Sequence, residues 1–192
     1  MRKLLFNFLV LCCLGFITTE SVTAESNGVT LTEYYDYECS HCRKMQPVIE
    51  RLKAGYPNLK IEQQVTPLLN ENSRFIASFA LASRNQARGD EVHQLLMQSV
   101  QAPTVDSAVE IVKQLSLNPS QMTDTMNSAA IQGEIAANIQ HAEQYRVQGN
   151  LYLPILVFSQ ADGKEQTITL TGEQPYPLLA AVVQQLSEND AR

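Results

Sequence analysis

The stretch V-T-L-T-E-Y-Y-D-Y-E-C-S-H-C-R-K-M-Q-P, residues 29–47, carries two backbone periods in succession. Val29 to Tyr35 is β-branched and aromatic, the composition of a strand. From Cys42 to Leu52 the apolar residues Met45, Val48, Ile49 and Leu52 fall on one helical face. Tyr56-Pro57-Asn58 breaks that helix, and Leu59 to Val65 reads as a second strand. Residues 29–66 therefore form a β-α-β unit, whose default is a right-handed crossover between parallel strands. Cys39 and Cys42 stand where strand gives way to helix.

Downstream, from Asn72 to Gln148, helix follows helix. Phe75, Phe79 and Ala82 recur at helical spacing, as do Val92, Leu95, Leu96 and Val100 after Gly89-Asp90. Val105, Val109 and Val112 follow Pro103, and Asn118-Pro119 supplies a cap and a proline at the first helical position. Met122 and Met126, four apart, read as core filling. Ile131, Ile135, Ile139 and Ala142 mark a longer helix expected to run to Gly149. Then β pattern returns: Ile155 to Phe158 is a buried strand, Ala161-Asp162-Gly163-Lys164 a turn, Thr167 to Thr171 a second strand. Pro175 to Leu186 closes as an amphipathic helix. The order is β-α-β, a helical insertion at about 71–148, then β-β-α, with no internal repeat.

Upstream, Arg2 and Lys3 precede an apolar run from Leu4 to Ile17, and Val22-Thr23-Ala24 offers small residues at the −3 and −1 positions of a cut. This is the pattern of a secretory signal peptide over residues 1–24. The run is shorter than the roughly 20 apolar residues a spanning helix needs. Residues 25–192 then form one domain with room for a substantial core. Removing Arg2, Lys3 and Glu20 turns 14 basic and 20 acidic residues into 12 and 19, a net charge of −7. Such a balance excludes nucleic acid as an expected partner, since phosphate binding needs clustered Lys and Arg.

After that cut only Cys39 and Cys42 remain of the four cysteines. A bridge three positions apart closes too short a loop to restrain much of the unfolded chain. The pair therefore reads as reactive rather than structural. Thiol–disulfide exchange needs an exposed thiolate to attack and a second thiol to resolve the mixed disulfide. A first cysteine at a helix start gains acidity from free backbone N–H groups and the positive end of the helix dipole. His41 can add a hydrogen bond or positive charge to the same sulfur. Lowering the attacking thiol's pKa stabilises the reduced form and makes the disulfide more oxidising.

Strand, C-x-H-C, helix, helical insert and a later X-Pro before an apolar strand together resemble the DsbA family of bacterial periplasmic oxidases, on a thioredoxin-like α/β fold. The resemblance covers nearly all of residues 25–192 in element order, and residues 33–47 and 149–158 at motif level. It implies Cys39 as nucleophile, Cys42 as resolving thiol and His41 as a neighbour that favours the thiolate. Glu33, six residues before Cys39, matches a buried acid behind the second cysteine that can accept the proton of Cys42. Pro47 matches a kinking proline of the active-site helix. Leu153-Pro154 resembles the cis-proline loop facing the cysteines, with the Leu153 backbone pairing to a substrate strand. Ser40 stands where the family has proline in C-P-H-C, beside the attacking sulfur, and is grouped with Leu153 and Pro154 as a substrate-contacting position. Leu153 replaces the more common valine or threonine. The resemblance also implies exported proteins with cysteines as substrates, a membrane DsbB-like reoxidase as partner, a periplasmic monomer, and no cofactor beyond the Cys39–Cys42 disulfide.

A CxxC is also half of a zinc site, but four ligands are required and only His41, His93 and His141 remain. No ligand spacing surrounds His93 or His141, which read as solvated or capping. A haem motif would need His where Arg43 stands. A disulfide isomerase or reductase of the same fold is the nearer alternative. Isomerases usually dimerise through an extra N-terminal segment, and only Glu25 to Gly28 separate the leader from the first strand.

Overall fold

The computed structural model describes residues 28–160 and 167–190. The leader read at 1–24 and the turn read at Ala161-Asp162-Gly163-Lys164 lie outside the described residues. Four strands form one sheet: β1 (Val29–Tyr35), β2 (Lys60–Val65), β3 (Ile155–Gln160) and β4 (Thr167–Thr171), in spatial order β2-β1-β3-β4. β1 and β2 are parallel, joined through α1 (Ser40–Gly55); β3 is antiparallel to both β1 and β4. Between β2 and β3 lie α2 (Glu71–Ser83), α3 (Gly89–Met97), α4 (Val105–Gln114), α5 (Pro119–Met126) and α6 (Ala129–Ala142). After β4 comes α7 (Tyr176–Asp190). This is the α/β thioredoxin-like arrangement with a helical insert.

Period-2 alternation on β1 divides the core. Val29 and Leu31 face α1 and α7, packing with Met45, Ile49, Leu52, Leu156, Phe158 and Leu179. Tyr34 faces the other way, against Ile155, Val157 and Ala142 at the end of α6. Tyr35, Tyr37, Cys39 and Cys42 belong to a third cluster with α2 through α6, so the insert and the sheet unit share one core across the cysteine motif. Asn138 of α6 donates to the Val65 carbonyl at 3.0 Å and ties the insert to the end of β2.

Helix starts follow the caps. Asn70, Thr104, Asn118 and Ser128 each accept a backbone N–H from the residue three positions on, and Pro119 opens α5. Three expectations fail locally. α3 stops at Met97, leaving Val100 97% exposed. α4 buries Ala108 and Ile111 while Val105 and Val109 stay about half exposed, because the core lies one position round the helix from the valine stripe. α6 ends at Ala142 rather than running to Gly149. A 3-10 turn over Glu143–Tyr145 follows, then a tight turn in which Val147 and Asn150 exchange backbone hydrogen bonds around Gln148 and Gly149, both at positive φ.

Candidate active site

β1 delivers the motif, and a buried aspartate just past its end shapes the surrounding loops. The Asp36 carboxylate accepts the backbone N–H of Glu38 at 2.9 Å, that of Leu68 at 3.0 Å, and the Ser73 hydroxyl. Its carbonyl accepts Cys39 N–H at 3.1 Å. One residue thus fixes the loop before Cys39, the loop after β2 and the start of α2.

Cys39 is the N-cap of α1, its sulfur accepting the backbone N–H of Cys42 at 3.4 Å. The thiol is held at about 6, first by a hydrogen bond from the Cys42 thiol and then by the backbone N–H groups of Cys42 and His41. Attraction to the His41 imidazole adds to this, and partial burial opposes it. Cys42 is fully buried, and burial together with the adjacent Cys39 sulfur pushes its thiol far up. Both are free thiols. One cysteine is thus poised to attack and the other is held protonated.

Glu33 has no exposure. Burial pushes its carboxyl up to about 7, against a hydrogen bond from Gln63 that lowers it; the nearby Cys39 and Glu50 add smaller upward pushes. Gln63 Nε2 donates to Glu33 Oε2 at 3.2 Å, while Oε1 has no hydrogen-bond partner. A carboxyl that titrates near 7, and whose charge is felt at Cys42, can take that thiol's proton when Cys42 attacks.

The Leu153–Pro154 peptide bond is cis, and the Leu153 carbonyl lies 3.8 Å from Cys39 Sγ, within reach of a thiol donor. Cys39, His41, Leu68, Leu69, Leu151, Tyr152, Leu153, Gly172 and Glu173 line a cleft of about 450 Å³. Gly172, at φ +74°, donates its N–H to the Pro154 carbonyl at 2.8 Å, joining the end of β4 to this loop. Pro47 lies inside α1 and is exposed.

Three residues sit differently from expectation. The His41 ring is turned to Glu173, Nδ1 to Oε1 at 2.5 Å, with Lys44 Nζ also donating to that oxygen at 3.1 Å. It reaches Cys39 by its backbone N–H and its field, not by a ring hydrogen bond to the sulfur. Ser40 opens α1 but lines a separate groove with Arg43, Pro47 and Met97, not the cleft holding Cys39. His93 is neither solvated nor capping: it packs edge-on against Tyr35 and bonds Tyr37 and Gln63. His141 is exposed. Among the described residues no group of three or more His, Cys, Asp and Glu could hold a metal ion. The amino-acid pattern does not mark Gln63, His93 or Glu173 as active-site residues, although E-Y-Y-D-Y puts Glu33 and Tyr35 on one strand face with Tyr37 just beyond. That pattern signals a buried polar cluster in search of partners.

The family model for the DSBA-like thioredoxin domain matches residues 30–184. The chain belongs to the DsbA-like thioredoxin family. Members carry out thiol–disulfide chemistry with a redox-active cysteine pair, and this chain is a thiol–disulfide oxidoreductase of that family. Three solved structures share its fold. A thioredoxin-like oxidoreductase from Silicibacter pomeroyi is 24% identical with a TM-score of 0.71, covering 83% of this chain and 87% of that one. The thiol-disulfide exchange protein alpha-DsbA2 from Wolbachia pipientis is 21% identical with a TM-score of 0.69, covering 84% and 83%. A periplasmic thioredoxin-like protein from Salmonella enterica serovar Typhimurium is 23% identical with a TM-score of 0.68, covering 85% and 86%. Among curated proteins, 123 residues (63% of this chain) are 24% identical to part of the Na(+)/H(+) antiporter NhaA 3 from Salinispora tropica. The matched segment spans about a fifth (19%) of that protein's length.

Proposed function

We propose that this DsbA-like protein is a dithiol oxidase of the periplasm, donating the Cys39–Cys42 disulfide to exported proteins through a mixed disulfide on Cys39. The observation that carries the reading is the asymmetry of the pair: an acidic Cys39 at a cleft and a buried, protonated Cys42. A substrate thiolate attacks Cys39 Sγ, breaking the Cys39–Cys42 bond, and Cys42 leaves as a thiolate that takes a proton from Glu33. A second substrate thiolate then attacks the substrate sulfur. Cys39 leaves as a thiolate, the substrate is oxidised by two electrons, and the enzyme is left as dithiol. An acidic Cys39 is a good leaving group and stabilises that dithiol product, which favours oxidation of substrate over the reverse.

The cleft supports a cysteine-containing peptide in extended form. Leu68, Leu69, Leu151 and Tyr152 give it an apolar wall, with Leu69 55% and Tyr152 50% exposed. The Leu153 backbone lies alongside for strand pairing. Periplasmic placement rests on the signal-peptide pattern of residues 1–24 and on the likeness to the periplasmic Salmonella protein. A membrane DsbB-like reoxidase returns the dithiol to disulfide in this reading.

Equilibration of the pair with a glutathione buffer tests the direction of transfer. An oxidase gives a potential more oxidising than about −200 mV. A value near −270 mV, where thioredoxin lies, makes the protein a reductase instead.

A further inference from the structure

We propose that His93, on α3 of the helical insert, is a positioning residue for the proton acceptor Glu33, acting through the amide of Gln63. The inference rests on Glu33 exchanging a proton with Cys42 and adds what controls that carboxyl.

Strand register sets Glu33 of β1 opposite Gln63 of β2. The Gln63 amide nitrogen lies 3.2 Å from Glu33 Oε2 and 3.2 Å from His93 Nε2. An amide nitrogen has two hydrogens and no acceptor lone pair, so it donates to both. With Glu33 ionised, the state in which it can accept the Cys42 proton, turning the amide over would set its oxygen against the carboxylate, which repels it. His93 Nε2 is therefore an acceptor, and the ring proton sits on Nδ1, donating to Tyr37 Oη at 3.0 Å. Tyr35 Oη donates to the same Tyr37 oxygen at 3.1 Å. With Glu33 ionised, the chain Tyr37, His93, Gln63, Glu33 is consistent in donor and acceptor at every link only while the imidazole is neutral.

The surroundings keep it neutral. Burial brings His93 down to about 4, with Asp90 of its own helix opposing and Arg84, after α2, reinforcing. Tyr35 and Tyr37 from the β1 side and Gln63 from β2 face the ring without charge. A neutral His93 pins one Gln63 hydrogen, and geometry then commits the other to Glu33. Without His93 the amide is free to rotate, and the hydrogen bond that favours the carboxylate is partly lost. His93 thus sets the pH range in which Glu33 passes a proton to or from Cys42.

The test follows the Glu33 carboxyl carbon by 13C NMR in the disulfide form from pH 4 to 9, assigned by its absence in Glu33→Gln. His93→Leu raises the Glu33 midpoint by about half to one pH unit. His93→Gln, whose amide oxygen can accept the same Gln63 hydrogen, returns it to within a few tenths of wild type. Should His93→Leu fail to fold, His93→Phe keeps the edge-on packing against Tyr35 without the acceptor, and the same rise is expected. An unmoved midpoint in a folded Leu or Phe variant overturns the proposal, as does a rise that Gln fails to reverse. Exchange with glutathione, assayed on the same wild-type samples, separates the two readings. Intact exchange with an unmoved midpoint sinks only the role of His93, whereas absent exchange sinks the oxidoreductase function.

Discussion

A single residue's acidity decides what the Cys39–Cys42 pair does, and its causes are ranked. The Cys42 thiol comes first, backbone N–H groups second, the field of His41 last. Cys42→Ala is therefore expected to raise the Cys39 pKa by roughly 1 unit or more, and His41→Ala by less than that. The rate of iodoacetamide alkylation against pH reads both; a larger shift in the histidine variant would mean that the ring does turn to the sulfur. In the wild type the alkylation midpoint is expected near 6, with Cys42 unlabelled until the fold opens. Glu33 gives the opposite sign. Its folded value of about 7 lies above the ordinary carboxyl range, so the stability it lends is present at low pH and lost as pH rises through 7. Oxidised Glu33→Gln should then match wild type near pH 4 and exceed it by on the order of 3 kcal/mol at pH 8.5 in urea unfolding. It should also slow mixed-disulfide resolution by roughly 100-fold. Equal stability at both pH values would show that Glu33 is not held protonated. Cys39 is legible from a CxxC at a strand–helix junction, whereas Glu33, six positions earlier, is legible only through the resemblance to the family. Their numerical acidities are not, because burial and partners are made by tertiary packing.

Among the elements, α1 shows most plainly what the amino-acid pattern carries and where it stops. Strands β1 and β2, helix α1 and the closing β3, β4 and α7 follow from period and punctuation, since each has a face buried in one continuous sheet layer. The insert is legible as helices but not as faces. Valines at 105 and 109 mark a helical stripe, yet Ala108 and Ile111 meet the core. On a short helix with apolar residues on two adjacent stripes, the neighbouring helices decide which is buried. His93 escapes the pattern for the same reason, its partners coming from the end of β1 and from β2, about 60 and 30 residues away. At the start of α1, Ser40 occupies the first helical position where proline is favoured. The N–H groups that hold the Cys39 thiolate belong to His41 and Cys42, not Ser40, and Cys39 is already extended at ψ 112° as a residue before proline must be. Ser40→Pro should therefore stabilise both redox forms by roughly 0.5–1 kcal/mol and leave the alkylation midpoint within a few tenths of a unit. A loss of stability would mean that the Ser40 N–H has a partner it cannot give up.

For the molecule as a whole, the cysteine pair makes folding depend on both pH and redox state. In the reduced protein the Cys39 pKa is about 6 when folded, against about 8.5 for a free thiol in the unfolded chain. A depressed folded value contributes stability that is fully present above 8.5 and disappears as pH falls through 6. Cys42 runs the other way. Its thiol is pushed up by burial, so above about 8.5 the unfolded chain gains by ionising it while the folded protein cannot. The oxidised protein has neither titration, and the entropy that its short bridge removes from the unfolded chain does not vary with pH. Glu33 and His93 titrate in both forms and largely cancel between them. The stability of reduced minus oxidised protein should therefore be flat below pH 6 and rise by on the order of 3 kcal/mol towards pH 8.5. Beyond that it should fall again. Urea unfolding of both forms at pH 5.5, 7.0, 8.5 and 9.5 measures the curve. A difference that stays level across this range would show that the folded state does not hold the Cys39 thiolate. The leaving-group argument for an oxidase would then lose its physical basis, even though the fold and the family would stand.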